Sequence, residues 1–199
     1  DINETDNVTI RDCVLHDGTN NNNGGGVRLL RADHNLLIDN RIHTNAIGVN
    51  LARDADFNRL QNNLILDDGG RQTGVFFARD TDGDSLINNT IVGSRRGLSF
   101  QGGNNPAGNG HVVRNTIIDD VDVCIDLSKA IGSTFSYSDY NDLNPNAGGA
   151  VAQVRGATYE TLAEWRAASG LDGNSLSLDP LFVDRGRSEE HTSELQSRT

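Results

Sequence analysis

Short runs in which apolar and polar residues alternate recur along most of this chain at a nearly constant spacing. Five of them read Gly26-Val-Arg-Leu, Gly48-Val-Asn-Leu, Gly74-Val-Phe-Phe, Gly97-Leu-Ser-Phe and Cys124-Ile-Asp-Leu. Alternation of period two marks strands with one buried face. Ahead of each run stands a polar residue followed two places later by an aliphatic one. These anchors are Asp12/Val14, Asn40/Ile42, Asn63/Ile65, Asn89/Ile91 and Asn115/Ile117, spaced by 28, 23, 26 and 26 residues. Two places before them lie Ile10, Ile38, Gln61, Ile87 and Val113; five places before lie Asn7, Asn35, Asn58, Asp84 and Gly110.

A unit of about 26 residues is too small to bury a core alone, so stacked units predict a solenoid. A leucine-rich repeat has a similar length but needs its own leucine consensus and a helical or turn-rich return. Here both parts of each unit read as strands. The predicted fold is all-β: a right-handed parallel β-helix of about five to seven rungs with a short C-terminal capping helix. In it Asn40, Asn63, Asn89 and Asn115 stack as a buried amide ladder, which Asp12 interrupts at the first rung.

The rungs resemble the pectin-lyase-like superfamily. The stretch "FSYSDYNDLNPN" and the later "YETLAEWRAASGLDGNSLSLDPLFVD" resemble the C-terminal region of bacterial right-handed parallel β-helix repeat proteins, a resemblance covering residues 1–184. It implies the fold. It does not choose an activity, because the superfamily includes lyases, hydrolases, epimerases and members with no known reaction. It also implies that a substrate would lie along one sheet.

Residues 1–128 are expected to carry the rungs, and 129–184 the last rung and cap. A helix is predicted near 159–169, with Thr158 as N-cap, Glu160 in the first turn and Gly170 as the stop. Tyr159, Leu162 and Trp165 share one helical face and would cover the solenoid's open end. "SLSLDPLFVD" would then alternate as a final strand. "RSEEHTSELQS" resembles a translated sequencing adapter, so 185–199 is set aside as non-native. The chain opens inside a repeat, so further N-terminal rungs are expected.

Composition adjusts this picture in a few places. Twenty-two glycines and abundant Asn and Asp among 199 residues suit a chain of tight turns. A net charge of −11 disfavours nucleic acid and anionic membranes. No stretch is long and apolar enough to span a bilayer. Cys13 and Cys124 fall four rungs apart, beyond disulfide reach, and read as free.

"ARDTDGDS", from Ala78, suggests a calcium loop, but its glycine and its twelfth position are wrong for one. It aligns instead on "ARDADFNR" from Ala52, so its aspartates belong to a repeated turn. The outward column of the later strands is Arg28, Asn50, Phe76, Ser99 and Asp126. Beyond it come Arg53-Asp54 and Arg79-Asp80 on consecutive rungs. Guanidinium groups clamp carboxylates, Asp binds hydroxyls and Phe stacks on sugar faces. Arg28, Arg53, Asp54, Phe76, Arg79 and Asp80 are therefore the candidate polysaccharide-binding residues, with Asp54 and Asp80 as candidate Ca²⁺ ligands, or no cofactor at all. For lyase or epimerase chemistry the base candidates are His43, His111 or an arginine. Hydrolase motifs are absent, and the Asp119-Asp120 doublet, like Asp67-Asp68, has the look of a turn. The expected protein is secreted or at the cell surface, monomeric, and binds or cleaves an acidic polysaccharide. The alternative is a non-catalytic structural or adhesion module.

Overall fold

The computed structural model describes residues 1–16, 25–43, 46–67, 73–101, 108–129 and 135–182. It is a parallel β-helix in which each coil carries three short strands rather than two. One face stacks Thr9–Arg11, Leu36–Ile38, Arg59–Gln61, Ser85–Ile87, His111–Arg114 and Phe135–Asp139. The second stacks Val14–His16, Arg41–His43, Leu64–Leu66, Thr90–Val92 and the first parts of Ile117–Lys129 and Asp142–Val154. The third stacks Ile2–Asn3, Val27–Leu30, Ile47–Ala52, Thr73–Phe77, Arg96–Gln101 and the later parts of the two long strands. All neighbours in these stacks are parallel. Coils are counted below from the first-face strand, so the first spans 9–30, the second 36–52, the third 59–77, the fourth 85–101, the fifth 111–129 and the sixth 135–154.

The core is a set of like-on-like columns. Leu37, Leu60, Leu86 and Val113 stack inside the first face. Ile42, Ile65, Ile91 and Ile118 stack inside the second. Val49, Val75, Leu98 and Ile125 stack inside the third. Each of these side chains is 2% exposed or less, and burying one stabilises the fold by about 1.5–3 kcal/mol. Phe77 and Phe100 stack face to face at 4.2 Å.

At the start of the third face the coil turns so sharply that a glycine column is required. A Cβ on Gly48, Gly74 or Gly97 would lie 2.5, 2.4 and 2.4 Å from the Cγ2 of Ile65, Ile91 and Ile118. Cys124 holds this column at the fifth coil and is fully buried, and both cysteines are free thiols.

The register differs from the predicted anchors at two coils, in each case by one residue. Cys13, not Asp12, stands under Asn40, because Leu15 pairs with Ile42. Thr116, not Asn115, stands over Asn89, because Ile118 pairs with Ile91. Asp12 and Asn115 instead fill a neighbouring column in left-handed conformation with Asp39, Asn62 and Asn88 (φ between 50° and 56°). Both columns are rich in Asn and Asp, one for its amide and the other for its tolerance of positive φ, so spacing alone did not separate them. In the same way Val8, Leu37, Leu60, Leu86 and His111 replace neighbours assigned one place away.

The C-terminal end is closed by the strand Ala157–Tyr159, antiparallel to the last coil, and by the helix Leu162–Ser169. Thr158 is taken by that strand, paired with Gln153. The N-cap is therefore Thr161, in a capping box with Glu164, and Gly170 ends the helix at φ 72°. Leu162 and Trp165 are buried against the core, with Tyr159 tilted onto Trp165 at 5.9 Å. Asp172 joins the cap to the coils: its carboxylate accepts from Trp165 Nε1 at 2.8 Å, Ser175 Oγ at 2.7 Å, and Ser138 Oγ and Asn141 Nδ2 at 3.0 Å. Of the segment expected as a last strand, the described residues 175–182 carry an isolated bridge from Leu176 to Asp142, with Leu176 and Leu178 exposed. Residues 185–199, set aside as non-native, lie outside the described residues.

Candidate functional site

The corner from third face to first repeats a short grammar: a small residue, an acid, a left-handed residue, then a buried polar one. It reads Ala32-Asp33-His34-Asn35, Ala55-Asp56-Phe57-Asn58 and Thr81-Asp82-Gly83-Asp84. Here lie four of the candidate residues. Arg31 N–H donates to Arg53 O, and Asp54 N–H donates to Asp80 O at 2.9 Å, so the Arg and Asp rows stack coil over coil. Arg53, Asp54 and Arg79 are exposed.

The carboxylates of this corner build a ladder. Asp6, Asp33, Asp56 and Asp82 each accept the backbone N–H of the next coil, from Asp33, Asp56, Asp82 and Asn109, at 2.7, 2.9, 2.8 and 2.6 Å. Partial burial holds the Asp56 carboxyl above its ordinary range, the charges of Asp33, Asp82 and Asp54 add to this, and the Asp82 N–H works against it. The "ARDTDGDS" aspartates therefore face three ways. Asp80 lies in the outer row, Asp82 bonds the coil above, and Asp84 points inward to accept from Asn58. Beside the ladder Phe57 is 56% exposed and stacks on His34 at 5.3 Å.

The other two candidates lie elsewhere. Arg28 and Phe76 belong to the outward column of the third face with Asn50, Ser99, Asp126 and Gln153. That column is not a solvated groove: Asn50, Ser99 and Asp126 are 2%, 0% and 2% exposed. Arg96 Nε reaches Asp126 Oδ2. The six candidates thus divide between a corner and a strand column. Of the proposed bases, His111 is fully buried and out of reach of a polymer. His43 stacks on His16 at 5.2 Å on the second face. Among the described residues no group of three or more His, Cys, Asp or Glu is arranged to hold a metal ion.

A concavity that the repeat analysis did not find lies where the fourth to sixth coils meet the cap. It is a groove of about 420 Å³. Arg95, Arg96, Asp122, Asn146, Gln153, Thr158 and Glu160 line it together with residues 147–150. Asn146 Nδ2 donates to Asp122 Oδ1 at 2.8 Å, while Arg95 Nε stays 4.0 Å from Asp122 Oδ2. Hydrogen-bond donors, acceptors and small residues are therefore mixed in its lining. The usable signal was the Arg95-Arg96 doublet at the start of a strand; Thr158 and Glu160 come from the cap and could not be placed from spacing.

Three parallel faces, like-on-like core columns and amide ladders define a right-handed parallel β-helix repeat protein of the pectin-lyase-like kind. Within that class the chain belongs to the NosD family, described as periplasmic copper-binding protein (NosD), whose profile matches residues 2–149. No curated protein and no solved structure matches the chain. Among the described residues no helix is long and apolar enough to cross a membrane.

Proposed function

We propose that this chain is a periplasmic or extracellular β-helix that acts as a monomer and binds a polysaccharide segment in the groove between the fourth coil and the cap. The observation that supports this is the lining: Arg95, Arg96, Asn146, Gln153 and Thr158 offer donors, while Asp122 and Glu160 accept. Sugar hydroxyls need both at once, and the volume suits one or two sugar units. Arg95, loosely held, would take a sugar carboxylate, whereas Arg96 is already engaged by Asp126. Arg53 and Arg79, with Asp54 and Asp80, would extend contacts along the outer corner. Catalysis is not assigned: no base in the groove matches the two histidines considered for lyase chemistry.

The competing reading is a rigid structural module. It is favoured by the way charges satisfy one another, as in Arg31–Glu4 at 2.9 Å and Arg11–Asp12 at 2.8 Å. Isothermal titration with oligogalacturonate, oligoalginate and a neutral glucan separates the two. Binding that weakens about tenfold, or 1.4 kcal/mol, in Arg95→Ala supports the groove. Absence of binding to all three polymers, with and without calcium, leaves the structural module.

The family description names copper, and the described residues do not fit a resident copper ion. Thiolate and thioether donors select Cu(I), and Cu(II) takes converging imidazoles with oxygen donors. This chain has no Met, and Cys13 and Cys124 lie on the first and fifth coils. His16 and His43 are stacked at an interplanar angle of 13°, so their in-plane lone pairs run side by side instead of converging.

A further inference from the structure

The grammar of the outer corner occurs a fourth time, as Gly108-Asn109-Gly110-His111, where the chain enters the fifth coil. Gly108 takes the small position: a Cβ there would lie 1.5 Å from Thr81 O. Gly110 takes the left-handed position at φ 78°, and His111 the buried polar one. Asn109 therefore stands in the column of Asp33, Asp56 and Asp82, with an amide in place of the carboxylate. Its N–H donates to Asp82 Oδ1 at 2.6 Å, as those of Asp82 and Asp56 donate to Asp56 and Asp33.

What holds this position differs from the three before it. In the left-handed column the N–H groups of Asn7, His34, Phe57 and Gly83 donate to the carbonyls of Asp33, Asp56, Asp82 and Asn109 on the next coil, at 3.1, 3.0, 2.8 and 2.9 Å. Among the described residues no carbonyl takes the Gly110 N–H, and no group bonds the Asn109 side chain. Both residues are exposed. A Cβ on Gly110 would meet nothing nearer than Gly83, at 3.9 Å, so no side chain shields the Gly110 nitrogen.

We infer that Asn109 is a site of spontaneous deamidation, whose products carry the outer carboxylate row into the fifth coil. The Gly110 nitrogen bonds to Asn109 Cγ, the bond from Cγ to Nδ2 breaks, and the Gly110 proton, relayed through water, leaves with Nδ2 as ammonia. Water then opens the cyclic imide: attack at Cγ gives Asp, and attack at the main-chain carbonyl carbon gives isoaspartate. The balance is one water taken up and one ammonia released. Either product is ionised at neutral pH and adds a negative charge beside Asp82. Asp82-Gly83, one coil earlier, could reach the same kind of imide by losing water, but it is held. Gly83 N–H donates to Asn109 O, and Asp82 Oδ1 accepts the Asn109 N–H. Asn174-Ser175 is held too: Asn174 Nδ2 donates to Asp139 Oδ2 at 2.7 Å, and Ser175 N–H to Asp172 O at 3.1 Å. A nucleophile or an electrophile tied by hydrogen bonds must first open, so conversion at these two pairs waits on local unfolding.

The test incubates the full chain in mildly alkaline buffer, folded and unfolded in guanidinium, and follows each site by peptide mass mapping with isoaspartyl methylation. The unfolded chain supplies the intrinsic rate at every site, so differences between Asn-Gly, Asp-Gly and Asn-Ser cancel. Folding should slow conversion at Asn109 by less than about threefold, and at Asp82 and Asn174 by about tenfold or more. The folded wild type should also gain an acidic species on anion exchange, whose peptide map carries Asp and isoaspartate at 109 and which Asn109→Gln lacks, because the longer side chain closes the ring far more slowly. An Asn109 that folding protects as strongly as Asp82 and Asn174 would overturn the inference, and that comparison needs no variant.

Discussion

Two corners of the same coil solve one problem with different chemistry. Both must hold a bend in register from coil to coil, and both use a side-chain oxygen that accepts a backbone N–H from the neighbouring coil. The corner between first and second faces is buried and uses amides: Asn40, Asn63 and Asn89 are 2% exposed or less. The Oδ1 of Asn63 and that of Asn89 each take two donors of the previous coil, that of Asn40 takes the Cys13 N–H, and Nδ2 of Asn63 also reaches Leu37 O at 2.9 Å. The outer corner uses the carboxylates of Asp6, Asp33, Asp56 and Asp82 for a single N–H each. An interior position has to donate, accept and remain neutral, which an amide does and a carboxylate does not. A wetted position needs only an acceptor, and water screens the repulsion between stacked charges.

The largest effect follows from breaking the buried ladder. Asn63→Ala removes a side chain whose oxygen accepts from the Asn40 N–H and Nδ2 at 3.1 and 3.0 Å and whose Nδ2 donates to Leu37 O. These partners are left buried and unsatisfied, a loss of about 3–5 kcal/mol. Asp56→Ala, at the outer corner, should change stability by about 0.5 kcal/mol or less, since a lost hydrogen bond is offset by relief of repulsion. Urea unfolding of the two variants measures the contrast. Equal losses would show that the corners do not differ as described.

The repeat, the three aliphatic columns and the amide ladder were legible because each recurs with its own period and residue type. The one-residue slips at Asp12 and Asn115 were not avoidable from spacing. Left-handed and ladder columns are adjacent, and both favour Asn and Asp. The third strand of each coil was hidden because three residues, as in Leu36–Ile38, are too few to display alternation. The candidate site was legible only in part. The corner residues Arg53, Asp54, Arg79 and Asp80 share one register because they follow the repeat. Arg28 and Phe76 were assigned to an open sheet, but Asn50, Ser99 and Asp126 of the same column are buried, which alternation along a strand does not reveal. The groove residues Thr158 and Glu160 come from a cap that has no period at all.

A smaller effect sharpens the comparison at the outer corner. Asp56→Asn keeps an oxygen for the Asp82 N–H and removes one charge from a stack of four. The folded Asp56 carboxyl lies above its ordinary range. Its contribution is therefore complete below the unfolded value of about 3.9 and is lost as pH rises through the folded value. At neutral pH the variant should be the more stable protein. The group is partly wetted, so the gain is about 0.3–1 kcal/mol after screening. Acidification below about pH 4 should close the gap, because the wild-type side chain is then neutral too. A gap that persists in acid would assign the effect to packing rather than charge.

The smallest effect isolates the charge itself. Repulsion among Asp33, Asp56, Asp82 and Asp54 acts between groups near water, where the screening length is about 8 Å in physiological salt and about 3 Å at 1 M. Neighbouring carboxylates stand about 4.8 Å apart along the coil axis, within the first length and beyond the second. Raising sodium chloride from about 0.05 to 1 M should therefore stabilise the wild type by a few tenths of a kcal/mol more than Asp56→Asn. The buried ladder carries no charge, so Asn63→Ala should follow the wild type in its salt response. Unfolding midpoints of the three proteins across the salt series give the comparison. A salt response shared equally by wild type and Asp56→Asn would place the repulsion elsewhere on this acidic surface and leave the outer ladder a hydrogen-bonding device alone.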